Sequence, residues 1–405
     1  GADMANKDLK WETTITRNIG VDFGFFNSRL TGTIDAYWNT TKDLLMKTAI
    51  PGITGFTSTY ANVGQTSNKG IEIALQGVLV KTRDWNVTAG FNINFNRGKV
   101  DKLADNVTGL YGTEWATSST FPKSDYVLKE GRPVGLVRGL TADGFYTTDD
   151  FTYANGVYTL KEGVADVSSA VFPNYHLHNG MNERPAGQLA YPGMAKFKDL
   201  NDDGIINDDD VDVIGDMTPV HTGGFNINAT YKNFDLGLYF NWSYGNEIYN
   251  VNKLAALYGY KEGAVYENKL SIVKDCYKIY DVVNGELVAL TTPEQLNAAN
   301  ANAKLPLAYS ENGYVSTLGI EDGSYLRLNT LTLGYTLPKS MLQKAGISNL
   351  RVYGSIYNVF TITGYSGIDA EVSTSTSTKT YPQLGMDWGT YPRARSFVLG
   401  VNLSF

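Results

Sequence analysis

Trp85-Asn-Val-Thr-Ala-Gly-Phe-Asn-Ile-Asn-Phe-Asn96 alternates without a break. Trp85, Val87, Ala89, Phe91, Ile93 and Phe95 fall on one side of an extended chain; Asn86, Thr88, Gly90, Asn92, Asn94 and Asn96 fall on the other. A period of two is the mark of a strand with one oily and one wet face. Working outward, the same period recurs at Ile71, Ile73, Leu75 and Leu79 against Glu72 and Gln76, and at Phe225, Ile227, Ala229 and Tyr231 against Asn226, Asn228 and Thr230. Phe234, Leu236, Leu238, Phe240, Trp242 and Tyr244 continue it.

A soluble sandwich also alternates, with its apolar residues facing a core. Length separates the two cases. These segments run to about ten residues or more, whereas soluble strands average about five or six and a tilted membrane strand needs about nine to eleven. Nine strands are expected, at about 11–25, 29–44, 69–80, 84–97, 222–232, 235–245, 324–337, 349–359 and 395–405. The linkers between them alternate. Those after the first, third, fifth and seventh strands are brief, while others span tens of residues, notably 98–221 and 246–323. Outer-membrane barrels pair short periplasmic turns with long extracellular loops, so the ninth strand descends and the C-terminus is periplasmic.

That last strand sets Phe397, Leu399, Val401, Leu403 and Phe405 against Ser396, Gly400, Asn402 and Ser404, ending on an aromatic as outer-membrane strands do. The expected fold class is all-β: an antiparallel transmembrane β-barrel with long extracellular loops. Arg17 shares parity with Ile15, Ile19, Val21 and Phe23. A lipid-facing Arg costs about 2–4 kcal/mol at the midplane and little near the interface, which places Arg17 by the outer headgroups.

Composition agrees. The chain carries 42 Gly, 27 Tyr, 17 Phe and 6 Trp against one Cys, and no apolar run reaches the roughly 18 residues of a membrane helix. No Pro/Ser-rich linker divides it, so one architecture with large loops is expected. The lone Cys276 forms no internal disulfide, and its polar setting, Lys274-Asp-Cys-Tyr-Lys278, marks it as incidental. A net charge of -7 argues against a nucleic-acid partner. Gly1 to Lys10 lacks a signal-peptide apolar region, so the expectation is that a leader was removed or lies upstream.

Asp199-Leu-Asn-Asp-Asp-Gly-Ile-Ile-Asn-Asp-Asp-Asp210 follows the D-x-[DN]-x-[DN]-G spacing of a calcium loop. Oxygens at positions 1, 3 and 5 converge when the chain turns at position 6, where Gly204 permits the conformation. Asp199, Asn201 and Asp203 would ligate Ca²⁺ through side chains, Ile205 through its carbonyl, Asn207 through water, and Asp210 would close the site. Hard oxygens suit Ca²⁺ better than a softer metal. The bland alternative is an Asp/Asn/Gly-rich surface turn. The loop ends in Asp rather than Glu and is similar to dockerin loops.

His176, His178 and His221 are read as loop hydrogen bonders, and no nucleophile elbow or paired-acid signature is present, so no enzyme is expected. Rings in the predicted extracellular segments can stack on sugar faces: Tyr111, Trp115, Tyr146, Tyr258, Tyr365 and Trp388 are candidate ligand contacts, with Tyr175, Tyr260 and Tyr391 beside them. Most such rings pack loop on loop, or sit in the interfacial girdle, where Trp38, Trp242 and Tyr244 are expected.

Asp8-Leu-Lys-Trp-Glu-Thr-Thr14, Asn18-Ile-Gly-Val-Asp-Phe-Gly24, Arg29-Leu-Thr-Gly-Thr-Ile-Asp35, Lys42-Asp-Leu-Leu45, Asn62-Val-Gly64 and Asn68-Lys-Gly-Ile-Glu72 resemble the SusC/RagA family of Bacteroidetes outer-membrane transporters. Tyr325-Leu-Arg-Leu-Asn-Thr-Leu-Thr-Leu-Gly-Tyr-Thr-Leu-Pro338, Asn358-Val-Phe-Thr-Ile-Thr363 and Tyr391-Pro-Arg393 continue the match in the family's order. The resemblance implies the C-terminal part of a 22-stranded barrel in the cell outer membrane, importing oligosaccharide or peptide with a SusD-like surface lipoprotein. It implies energy from TonB-ExbB-ExbD, received through N-terminal and plug regions that have no counterpart here. Calcium-type loops like 199–210 are common in the family. Two competing readings stay open: a non-transporting surface barrel, and a soluble carbohydrate-binding β-protein.

Overall fold

A computed structural model describes residues 3–50, 53, 55–103, 109–116, 120–172, 184–257, 269–308, 313–343, 346–374 and 383–405. Its main sheet has nine strands, each within a few residues of expectation at most ends: β1 (Thr13–Phe25), β2 (Leu30–Lys42), β3 (Gln65–Lys81), β4 (Trp85–Lys102), β5 (His221–Tyr231), β6 (Phe234–Tyr244), β7 (Tyr325–Thr336), β8 (Asn349–Thr363) and β9 (Ser396–Ser404). Each strand pairs antiparallel with the next in chain order, and β1 and β9 form the two edges. At one end the connections are tight. Phe26, Asn27 and Ser28 turn with φ of 58°, 55° and 60°, Lys232 with 52°, and 337–348 holds a short helical turn, α1 (Lys339–Leu342).

Register converts the alternation into rows. Val21, Ile34, Ile73 and Ile93 lie side by side on β1 to β4, and the row continues through Gly223, Trp242, Leu326 and Ile362. Near the tight-turn end, Trp85, Tyr231, Phe234, Tyr335, Val352 and Val401 form an aromatic and aliphatic girdle. Along β4 the outward set runs from Trp85 to Phe95, ten residues or ~33 Å of strand, which at a ~40° tilt gives a band ~25 Å tall, the height of a lipid-facing belt. Arg17 is one row beyond Ile19 and opposite Trp38, outside that band, so the strand is registered as expected. Toward the same end of the sheet Trp242 Nε1 donates to His221 Nδ1 at 3.0 Å, and the His221 ring stacks on Tyr244 at 5.0 Å. His221 is thus a girdle residue on β5, not a loop hydrogen bonder.

The sheet is not uniformly regular. Between Tyr239↔Thr330 and Phe240↔Leu328, β7 carries one extra residue, Asn329, a bulge that keeps Leu328 and Leu331 on the same face despite their odd spacing. The long segments also differ from the expected bounds: β4 reaches Lys102 and β5 starts at His221, so the first great loop is 103–220 and the second 245–324.

These two loops are not independent. Tyr146, Phe151, Tyr158, Tyr191, Phe197 and Ile206 of the first pack in one core with Tyr277, Ile279, Leu290, Leu296 and Tyr314 of the second. A second core joins Tyr126, Val137 and Met217 to Tyr249, Val251, Leu254 and Val315, with Met386 from the last loop. A four-stranded sheet orders Val211–Asp216, Leu136–Leu140, Tyr126–Leu128 and Leu110–Gly112 within this unit. Burying each large side chain stabilises by about 1.5–3 kcal/mol, enough for the loops to fold as one cap. Cys276 in the second loop is buried, which raises its thiol to about 11, and the polar setting expected for it is corrected.

Candidate functional site

The inward face of the sheet is a wall of amides and hydroxyls. Tyr37 Oη donates to Asn96 Oδ1 at 2.8 Å, Tyr239 Oη to Asn228 Oδ1 at 3.2 Å, and Asn241 Nδ2 to Tyr325 Oη at 3.1 Å. These bonds exist because the polar partners share parity across the sheet: Tyr239 and Asn241 meet partners on adjacent strands, while Tyr37 on β2 reaches Asn96 on β4 over Gly70 of β3. A concavity of about 650 Å³ at mid-height is lined by Asp22, Thr33, Gln76, Asn92, Asn226 and Tyr239 among others. A second cavity, about 890 Å³, lies where β4 rises above the start of β5, between Asn39, Asn68 and Asn96 on the wall and Pro133, Asp216 and Pro219 of the first loop. Asn39 Oδ1 and Asn68 Oδ1, directly opposed on β2 and β3, are buried with no hydrogen-bond partner among the described residues.

At the mouth, Arg327 on β7 is buried and ion-paired to Asp369 and, at 2.8 Å, to Glu371 in the β8–β9 loop. Its Nε donates to Thr361 Oγ1 at 2.9 Å, and Arg393 reaches both acids at 3.3 and 2.9 Å. Four alternating charges thereby clamp the last loop to the wall. Beside them Glu321 accepts from Ser366 and pairs with Lys253 at 3.2 Å; burial raises its carboxyl, but these partners outweigh that and hold it below the usual value.

The six calcium-type residues form one hydrogen-bonded loop. Asp199 accepts from the amides of Asp203 and Gly204 at 3.3 and 2.7 Å, and Asn201 and Asp203 accept from amides two residues on. Asn207 Nδ2 donates to the Ile205 carbonyl at 3.2 Å; the buried Asp210 accepts from Leu200 and Asn207 amides at 2.7 and 2.8 Å. Asp202 and Gly204 turn with φ of 58° and 85°. Among the described residues no three His, Cys, Asp or Glu side chains converge on one point.

The candidate aromatics divide. Tyr146 is fully buried and donates to the Ala165 carbonyl at 2.6 Å, and Tyr365 is buried with its hydroxyl on Asp387 at 2.6 Å; both are packing residues, not platforms for ligand. Their hydroxyls find partners inside the cap, which is why the rings turn inward. Trp115 is half-buried against Tyr249. Tyr111 and Trp388 are exposed, Tyr111 under the Arg138 guanidinium at 4.8 Å, and Tyr391 is 87% exposed. Tyr258, with Tyr175, Tyr260, His176 and His178, lies outside the described residues.

Residues 1–186 match the family described as TonB dependent receptor-like, beta-barrel. All of the chain aligns with TonB-dependent receptor P3 of Formosa agariphila at 30% identity, covering 35% of that protein, and 99% with TonB-dependent receptor SusC of Bacteroides thetaiotaomicron at 29%, covering 32%. Residues 1–186 thus carry a TonB-dependent receptor-like β-barrel, and the whole chain is similar to TonB-dependent receptors. The chain also superposes whole on a structure of the RagAB peptide transporter, with a TM-score of 0.69 and 25% identity, covering 36% of that chain. It spans about a third of the length of the curated relatives it matches. Its place is the outer membrane, and its relatives are receptors rather than enzymes.

Sequence reasoning missed one organising residue of this receptor barrel. Asp125 is fully buried and accepts from the amides of Glu114, Trp115 and Ala116 at 2.8, 2.8 and 3.0 Å. Burial pushes its carboxyl above the usual value, partly offset by those three donors. An Asp in a polar stretch, Pro122-Lys-Ser-Asp125, carries no sequence signal of such a role.

Proposed function

We propose that this chain forms lumen wall and extracellular cap of a TonB-dependent importer whose cargo is an oligosaccharide, taken over from a SusD-like lipoprotein and driven by TonB-ExbB-ExbD through other parts of the protein. The observation that carries this reading is the chemistry of the wall. Asn86, Asn92, Asn94, Asn96, Asn226, Asn228 and Asn241 present neutral amides that donate and accept, the pairing that sugar hydroxyls require. Exposed Tyr111, Trp388 and Tyr391 supply flat rings at the mouth. A second reading, peptide import, is favoured by the likeness to the RagAB peptide transporter. Titration of the full-length protein, purified with any co-purifying lipoprotein, against oligosaccharide and peptide panels separates the two. Heat on peptides alone would replace the first reading with the second.

We also propose that the 199–210 loop takes Ca²⁺ through Asp199, Asn201, Asp203, Ile205, Asn207 and Asp210. Its oxygen-only donor set and its turn at Gly204 support this reading. The ion's role there is structural, holding the first loop in its packed form.

A further inference from the structure

On the outward face, Arg17, Trp38, Lys69 and Arg97 stand opposite one another on β1, β2, β3 and β4. The row directly below them is Ile19, Ala36, Ile71 and Phe95, the outermost row of the apolar band. The four therefore sit where hydrocarbon gives way to headgroups. Lys69 and Arg97 are direct cross-strand neighbours, an arrangement of like charges that destabilises a sheet unless an anion lies between them.

No such anion comes from the described residues: Arg17, Lys69 and Arg97 make no ion pair there. The outward Asp101 is engaged by Lys99 at 3.3 Å, Ser67 at 2.8 Å and Gln65 at 3.1 Å. Arg97 is held in place, its Nη1 donating to the carbonyls of Asn96, Pro219 and Val220 at 2.8, 3.1 and 2.9 Å. Three cations gathered at one level of a chain with net charge -7 mark a local complementarity to anions, not a general one.

We propose that Arg17, Lys69 and Arg97, with Trp38 among them, bind the phosphate-bearing headgroup of an outer-leaflet lipid. Guanidinium and ammonium groups suit phosphate oxygens through charge-assisted bonds, and the amphipathic indole suits the headgroup layer. The row spans three inter-strand steps, ~14 Å, so separate phosphates can engage its two ends. This site faces lipid and does not depend on which cargo the lumen carries.

The test is native mass spectrometry of the full-length protein in detergent, titrated with a lipid bearing two headgroup phosphates and with the same lipid dephosphorylated. Phosphorylated lipid is expected to bind at least about tenfold more tightly than its dephosphorylated form, and the triple variant R17Q/K69Q/R97Q to lose that preference. The single variant Lys69→Gln, which keeps the strand length and polarity, is expected to weaken binding in the same direction if the triple variant does not fold. Equal binding of the two lipids, full binding by a folded triple variant, unchanged binding by Lys69→Gln, or displacement by millimolar inorganic phosphate alone would each overturn the assignment. The last outcome would mark a free-anion site.

Discussion

Arg351 on β8 grips Asp235 on β6 across the intervening strand, its Nε donating to Asp235 Oδ1 at 2.8 Å and its Nη2 to Oδ2 at 2.5 Å. The bond passes over Gly334 of β7. A Cβ there would lie 2.5 Å from Asp235 Oδ1 and 2.6 Å from Arg351 Nη2, so the glycine leaves the space the pair occupies. Both side chains are partly solvated, and such pairs contribute about 0.2–1 kcal/mol. Gly334→Val is expected to displace the pair and cost about 1–3 kcal/mol through overpacking as well. Urea unfolding of the full-length protein in detergent reads this; a stability equal to that of wild type would mean the side chains swing clear at no cost.

Asp125→Ala removes the acceptor of three buried amides and is expected to cost about 2–4 kcal/mol locally. The loss should appear as faster proteolysis within 109–126 while the barrel's own unfolding barely moves. Asp125→Asn retains one carbonyl acceptor and should fall between.

Acid should loosen the cap before the barrel. Asp150 pairs with Lys196 at 2.7 Å; burial opposes ionisation, but Lys196 and Thr147 outweigh it and lower the carboxyl below 3.8. Glu321 is likewise held below 4.5. A depressed acid contributes stability that is present above its unfolded value and lost as pH falls through its folded one. The protection of cap amides, corrected for the intrinsic pH dependence of exchange, is therefore expected to be flat from pH 7 to about 5 and to fall below about 4, moving with Lys196→Met and Lys253→Met. A loss of that corrected protection on raising the pH instead would contradict the sign.

Calcium should protect the first loop. With Ca²⁺ present, cleavage within 184–220 is expected to slow, and Asp199→Ala combined with Asp203→Ala should abolish the effect. Identical cleavage with Ca²⁺ and with chelator in the unaltered protein would remove the ion from the account.

The nine strands were legible because each must present one face to lipid and one to the lumen, so the membrane imprints period two on every span. Asn329 was not legible, since a bulge shifts parity without changing composition. The cap was hidden for another reason. Its strands are two to six residues long, too short for a period, and its core pairs Tyr146 and Tyr191 with Tyr277 and Tyr314, far apart in sequence. Loop tyrosines read as ligand platforms on position alone, and only packing shows that Tyr146 and Tyr365 face inward while Trp388 does not.

That shared core has a consequence for how such a protein diversifies. Segments 103–220 and 245–324 meet side chain to side chain, so a change of shape in one must be answered in the other. Lineages acquiring a new binding preference would be expected to exchange both inserts as a matched set, while the strands beneath them pass on unaltered.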